Sequence, residues 1–149
     1  MTNLIIKVHP RYFTYLVNEQ TYGTIQLGRS LIKNTQNIID VLNGLNIKPT
    51  NIYIESPHIV LEGDKPTVFS NIQHVQRLCG ALSYKMWEIY GVAVNFCLQS
   101  LPKPKKEELL LMPDKLLNNP KNIFFSPLEL LCLADCILLL QQINKTNGR

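Results

Sequence analysis

The stretch Asn51-Ile52-Tyr53-Ile54-Glu55-Ser56-Pro57-His58 decides how the chain is read. β-Branched and aromatic residues lead to a carboxylate and proline then stops the run, which predicts a short strand with Glu55 at its carboxyl end. In open α/β sheets ligands bind in the crevice beyond those ends, so an acid there is better placed for chemistry than one on a helix surface. A solvated strand-end side chain is the commoner fate of a lone Glu. A second acid shifts the balance. Asp135 lies inside Leu130-Leu131-Cys132-Leu133-Ala134-Asp135-Cys136-Ile137-Leu138-Leu139-Leu140. That run is apolar on nearly every helical face, and an unpartnered polar group buried in it costs roughly 2–7 kcal/mol. Asp135 therefore requires a partner or a ligand.

Upstream, Leu4 to His9 reads as an apolar strand closed by Pro10. Arg11 to Val17 and Tyr22 to Leu27 read as two more strands around the turn Asn18-Glu19-Gln20-Thr21. Ser30 is the expected N-cap of a helix reaching about Leu45, with Leu31, Ile38, Ile39, Leu42 and Leu45 at helical spacing. Downstream, Ser56 to Ser70 carries Pro57, Gly63, Asp64 and Pro66 and reads as a loop beside the Glu55 strand end. Ile72, Val75, Leu78, Cys79, Leu82, Met86 and Ile89 predict a long amphipathic helix over Asn71 to Tyr90, ended by Gly91. Val92 to Leu98 reads as a fifth strand, and Pro102-Lys103-Pro104-Lys105-Lys106 as a basic loop. A short helix over Glu107 to Leu117, a connection, and a last helix capped by Ser126 and Pro127 and reaching about Ile143 complete the order.

The 149 residues are 46% hydrophobic, enough for one compact α/β domain over 1–149 with a real core. The formal charge of +4 permits an anionic partner without demanding one. Cys79, Cys97, Cys132 and Cys136 all lie in apolar segments without CxxC spacing, so they read as small buried hydrophobes in a reducing compartment rather than a disulfide framework. The first residues hold too short an apolar run for a signal peptide, and Leu130 to Leu140 is too short to span a bilayer. The expected setting is intracellular, away from membranes. Frequent Asn, Ile and Lys associate with AT-rich genomes, which extends that expectation to an infected cell's cytoplasm or an organelle matrix.

This order of elements, with an acid ending the fourth strand and another in the last helix, resembles the ribonuclease H-like plan and within it the RuvC family of Holliday-junction resolvases. Five segments carry the resemblance. Ile5-Ile6-Lys7-Val8-His9-Pro10 is similar to the family's first strand, which usually ends in aspartate followed by proline and glycine. Tyr53-Ile54-Glu55-Ser56-Pro57-His58 is similar to its strand ending in Glu and then an aromatic. Gln76-Arg77-Leu78-Cys79-Gly80-Ala81-Leu82 resembles its Arg-Gly helix, and Leu101 to Glu107 the segment bearing paired lysines. Leu131-Cys132-Leu133-Ala134-Asp135-Cys136-Ile137 resembles its final helix, where an acid or His is followed by two spacers and Ala-Asp. The implied fold is a five-stranded mixed sheet, three antiparallel strands followed by alternating helix and strand, flanked by helices.

The resemblance implies four ligands converging on two magnesium ions that assist phosphodiester hydrolysis. Glu55 and Asp135 match that pattern. His9 stands where the first strand's aspartate is expected, and Cys132 where the last helix has its first ligand. Imidazole and thiol are poor substitutes for hard oxygen ligands, although His9, Glu55, Cys132 and Asp135 together would suit manganese or zinc. Glu129, one turn before Cys132, brings a further carboxylate at a large angular offset from Asp135. If Asp135 is not a ligand, it should pair with a strand-end group or with His9. On the nucleic-acid side, the resemblance implies stacking by His58 and phosphate contacts from Arg77, Lys103, Lys105 and Lys106. Loop and surface roles account for the same residues.

Two readings of function follow. One is a binder of branched or structured DNA or RNA, a homodimer through the Asn71 to Tyr90 helix, acting as a magnesium- or manganese-dependent endonuclease. The other is a catalytically silent structural subunit of a nucleoprotein assembly.

Overall fold

The structure, a computed structural model, describes residues 2–19, 21–55, 66–97 and 125–146, with the side chains of 66–70 and 146 outside the description. Its strands are β1 (Asn3–Val8), β2 (Tyr12–Val17), β3 (Thr21–Gln26), β4 (Asn51–Glu55) and β5 (Val94–Cys97), and its helices α1 (Leu31–Gly44), α2 (Pro66–Tyr90) and α3 (Pro127–Thr146). The strands form one sheet in the order β3-β2-β1-β4-β5. β1 runs antiparallel to β2, with Leu4 opposite Val17 and Val8 opposite Phe13, and β2 runs antiparallel to β3. β4 adds parallel to β1, with Ile6 beside Ile54, and β5 adds parallel to β4, with Glu55 beside Cys97. This is the mixed five-stranded α/β sheet with flanking helices that the order of elements predicts.

Strand alternation assigns the two faces. Leu4, Ile6 and Val8 of β1, Phe13, Tyr15 and Val17 of β2, and Ile52 and Ile54 of β4 pack against α1 and α2. Ile5 and Leu16 point the other way, into a second cluster with Leu133, Cys136, Ile137, Leu140 and Ile143 of α3. The sheet is thus buried on both faces near its centre. Lys7, two residues after Ile5, falls on the α3 face.

Local chemistry fixes the turns and helix ends. Asn18 and Glu19 take left-handed backbone angles (φ 52° and 70°) between β2 and β3, a conformation that Asn tolerates better than most residues. The Asn18 side-chain oxygen accepts from the Asn3 N–H at 2.8 Å, tying this turn to the start of β1. Tyr15 lies opposite Gly23, where a Cβ would come within 2.5 Å of the tyrosine hydroxyl. Ser30 caps α1 by accepting from the Lys33 N–H, as the sequence predicts. Gly91, at φ +68°, ends α2 with its N–H on the Trp87 carbonyl at 2.9 Å.

The main departures from expectation concern two helices. α2 begins at Pro66, five residues before Asn71. Proline reads as a loop residue in sequence, yet its missing N–H has no partner to lose in a helix's first turn. The last helix, α3, starts at Pro127 as expected and runs three residues past Ile143, and whereas the Leu130 to Leu140 run reads as too short for a bilayer, Pro127–Lys145 is sufficient for a membrane span by length and composition. Its apolar residues include Leu133, Cys136, Ile137, Leu139, Leu140 and Ile143, all packed with the second face of the sheet. Of the expected Ser56 to Ser70 loop, residues 66–70 are helical and the rest lies outside the described residues, as do the expected basic loop and the expected Glu107 to Leu117 helix.

Candidate functional site

The site forms where β1 and β4, parallel neighbours, end beneath α3. Glu55 is the last residue of β4, and Lys7 lies one residue beyond the Ile6–Ile54 pair on β1. Asp135 comes from the third turn of α3. A capping box fixes the start of that helix: the Glu129 N–H donates to Ser126 Oγ at 3.3 Å, and the Ser126 N–H donates to Glu129 Oε1 at 3.1 Å. Pro127 occupies the first helical position between them.

Lys7 joins the two acids. Its ammonium nitrogen lies 3.1 Å from Glu55 Oε2 and 3.4 Å from Asp135 Oδ2. The side chains are 22% (Lys7), 12% (Glu55) and 14% (Asp135) exposed, so the cluster is only partly solvated. Glu55 Oε2 is buried with no aligned hydrogen bond, and the charge of Lys7 is what compensates it. Burial opposes the charge on Lys7 and is the largest influence on it. The Glu55 and Asp135 charges outweigh burial and hold the lysine pKa above its ordinary 10.5. Lys7 is therefore charged at neutral pH. Two carboxylates against one ammonium leave the cluster a formal charge of −1.

His9 lies at the end of the same strand but is not the partner of Asp135. Its Nδ1 accepts from the Arg11 N–H at 3.1 Å. Burial first, then the nearby charges of Lys7 and Arg11, depress its pKa against the opposing pull of Asp135. A neutral imidazole follows, and of the two partners expected for Asp135, a strand-end group or His9, the structure supplies the first: Lys7, one residue before the end of β1. The alternation of β1 puts Lys7 on the face that α3 covers, with a stem long enough to reach both acids. Sequence reasoning passed over Lys7 because the resemblance drew attention to His9. The available signal was a lone lysine in an otherwise apolar strand, in a chain with two half-buried acids to neutralise.

Cys132, one turn before Asp135, is buried, and burial pushes its thiol up to about 11 despite the opposing charge of Lys7. It remains a thiol. Glu129 is turned toward β3, accepting a hydrogen bond from the Thr24 hydroxyl as well as the Ser126 bond. Burial works against its ionisation, but these bonds keep its carboxyl below the usual range. Arg77 is exposed on the outer face of α2, whereas the cluster lies on the face covered by α3. His58, Lys103, Lys105 and Lys106 lie outside the described residues.

Among the described residues, no three or more His, Cys, Asp or Glu side chains assemble as metal ligands. The donors do not fit the magnesium pair that the resemblance implies. Both acids already contact an ammonium, the histidine Nδ1 is engaged by backbone, and the cysteine holds its proton.

No protein-family model matches the sequence. No curated protein matches it either. Solved structures do. The chain is similar to Thermus thermophilus RuvC in complex with a Holliday junction substrate, at 17% identity and a TM-score of 0.63, over 93% of this chain and 91% of that one. It is similar to a second structure of Thermus thermophilus RuvC at 14% identity and a TM-score of 0.59, over 95% and 96% of the two chains. At such identities the likeness shows the fold: this chain shares the RuvC arrangement of a mixed five-stranded sheet between helices.

Proposed function

We propose that this chain is a RuvC-fold protein that binds branched or structured nucleic acid without cleaving it, as a subunit of a nucleoprotein assembly. The observation that carries the reading is the Lys7 ammonium between Glu55 and Asp135, 3.1 and 3.4 Å away. A resident monovalent cation contacts both acids that match the family pattern, offsets one of their two charges, and supplies neither a polarised water nor an open coordination position. Nucleic-acid binding is supported by the fold shared with a RuvC bound to a junction and by the chain's charge of +4. Lys103, Lys105, Lys106 and Arg77 are the proposed phosphate contacts and His58 the proposed stacking residue. Pairing of two copies through α2 is supported by an exposed stripe at helical spacing, with Tyr84 65% and Trp87 58% exposed.

The alternative is a metal-dependent junction endonuclease using Glu55 and Asp135, favoured by the convergence of those two acids on one nitrogen. A labelled four-way DNA junction separates the readings. The wild type should retard the junction and leave it uncut in magnesium or manganese. Neutralising Lys103, Lys105 and Lys106 together should flatten the salt dependence by about three counterions if each touches a phosphate. Symmetric nicks that disappear in Glu55→Gln would establish the nuclease instead. Absence of retardation at low salt would remove the nucleic-acid reading altogether.

A further inference from the structure

We infer that Lys7 is a built-in replacement for divalent metal: it holds β1, β4 and α3 together at the strand ends and makes the fold independent of divalent cations, while the carboxylate pair beneath it retains a latent cation site. The inference rests on the catalytically silent reading and gives it a structural cause. Two acids from different elements face one another at positions where the family pattern calls for metal ligands. Without a cation between them they would repel. The ammonium reaches both from a third element, and its stem is anchored in the central strand of the sheet. Lys7 thus performs the cross-linking that a bridging ion would perform, with a charge of one rather than two.

This arrangement has a consequence specific to Lys7. Glu55 Oε2 has no aligned hydrogen bond to fall back on, so removing the ammonium leaves a pair of close, half-buried carboxylates. Such a pair attracts a hard divalent cation through its oxygen atoms. Cysteine and histidine contribute little to it, because Cys132 keeps its proton and His9 Nδ1 is engaged by the Arg11 N–H.

The test is thermal melting of the full chain without nucleic acid, in EDTA, magnesium or manganese, for the wild type, Lys7→Met and Lys7→Met/Glu55→Gln. Because no junction is present, failure here is distinct from failure to bind DNA. The wild-type midpoint should be the same in all three conditions. Lys7→Met should melt lower in EDTA and recover by about 5 °C or more in saturating manganese or magnesium. The double variant should show no such recovery. A saturable rise of the wild-type midpoint with either metal would overturn the inference, since the ammonium would then yield to the ion. An unresponsive Lys7→Met would overturn it from the other side. If Lys7→Met is unfolded in EDTA, folding on addition of manganese supports the inference, and remaining unfolded counts against it.

Discussion

Replacing Lys7 by methionine perturbs one charge and little else, since methionine preserves the length and apolar stem of the side chain. With contacts of 3.1 and 3.4 Å and an effective dielectric near 20, each ion pair carries roughly 5 kcal/mol of Coulomb attraction. Desolvation of the three groups offsets most of that, so the net worth of the cluster is far smaller than the sum. The cost of the variant comes from what it leaves behind: two facing carboxylates, one of whose oxygens has no hydrogen bond. Breaking a buried pair from one side costs about 3–5 kcal/mol, and the partial exposure of these side chains lowers the expectation to about 2–4 kcal/mol. Glu55→Gln and Asp135→Asn each leave Lys7 one partner and should cost about 1 kcal/mol. Adding Glu55→Gln to Lys7→Met removes one of the two repelling charges, so the double variant should be more stable than Lys7→Met alone. Urea unfolding at pH 7 in EDTA, with the slope compared between variants, measures all four. A Lys7→Met variant within about 0.5 kcal/mol of wild type, or strictly additive effects, would refute the reasoning. The pH dependence gives a second check. The folded pKa of Lys7 is raised, so its contribution is complete below about 10.5 and is lost as pH rises through the higher folded value. The gap between wild type and Lys7→Met should therefore stay level from pH 7 to about 10 and close only above that.

Other expected outcomes follow from single contacts. Glu129→Ala removes half of the capping box and the Thr24 bond to β3, and should destabilise by about 1–2 kcal/mol in urea unfolding. Because the Glu129 carboxyl is held below its ordinary range, this contribution is present above the unfolded value near 4.5 and fades as pH falls through the lower folded one. Gly23→Ala should cost about 1–3 kcal/mol by pushing on the Tyr15 ring, and Tyr15→Val in the same chain should lower that penalty, as melting curves would show. Trp87→Glu should convert a dimer to monomer in sedimentation at unchanged helix content by circular dichroism; a wild type that is already monomeric would remove the proposed α2 pairing.

Much of this protein was legible in one dimension because the deciding signals are local. Strand and helix periods identify β1 to β5, Ser30 and Ser126 announce helix starts, and Gly91 announces an end. Glu55 at a strand terminus and Asp135 in an apolar helix stand out as acids needing an explanation, and the structure brings both to one lysine. The Ser126-Pro127-Leu128-Glu129 run also contains the capping box that disposes of Glu129, a signal read only in part. Pro66 shows the reverse problem, since its local preference suits a loop and a helix's first turn equally. The identity of the cation at the site was beyond local reasoning. Lys7, Glu55 and Asp135 come from the start, middle and end of the chain, and their meeting depends on the parallel register of β1 with β4 and on α3 crossing that face of the sheet. Sequence by itself determined the elements and the two acids, because hydrophobic period, caps and turns act over a few residues. Only the tertiary structure decided that an ammonium, rather than His9, lies between those acids, because charge pairing depends on distances of a few ångströms that non-local packing alone sets.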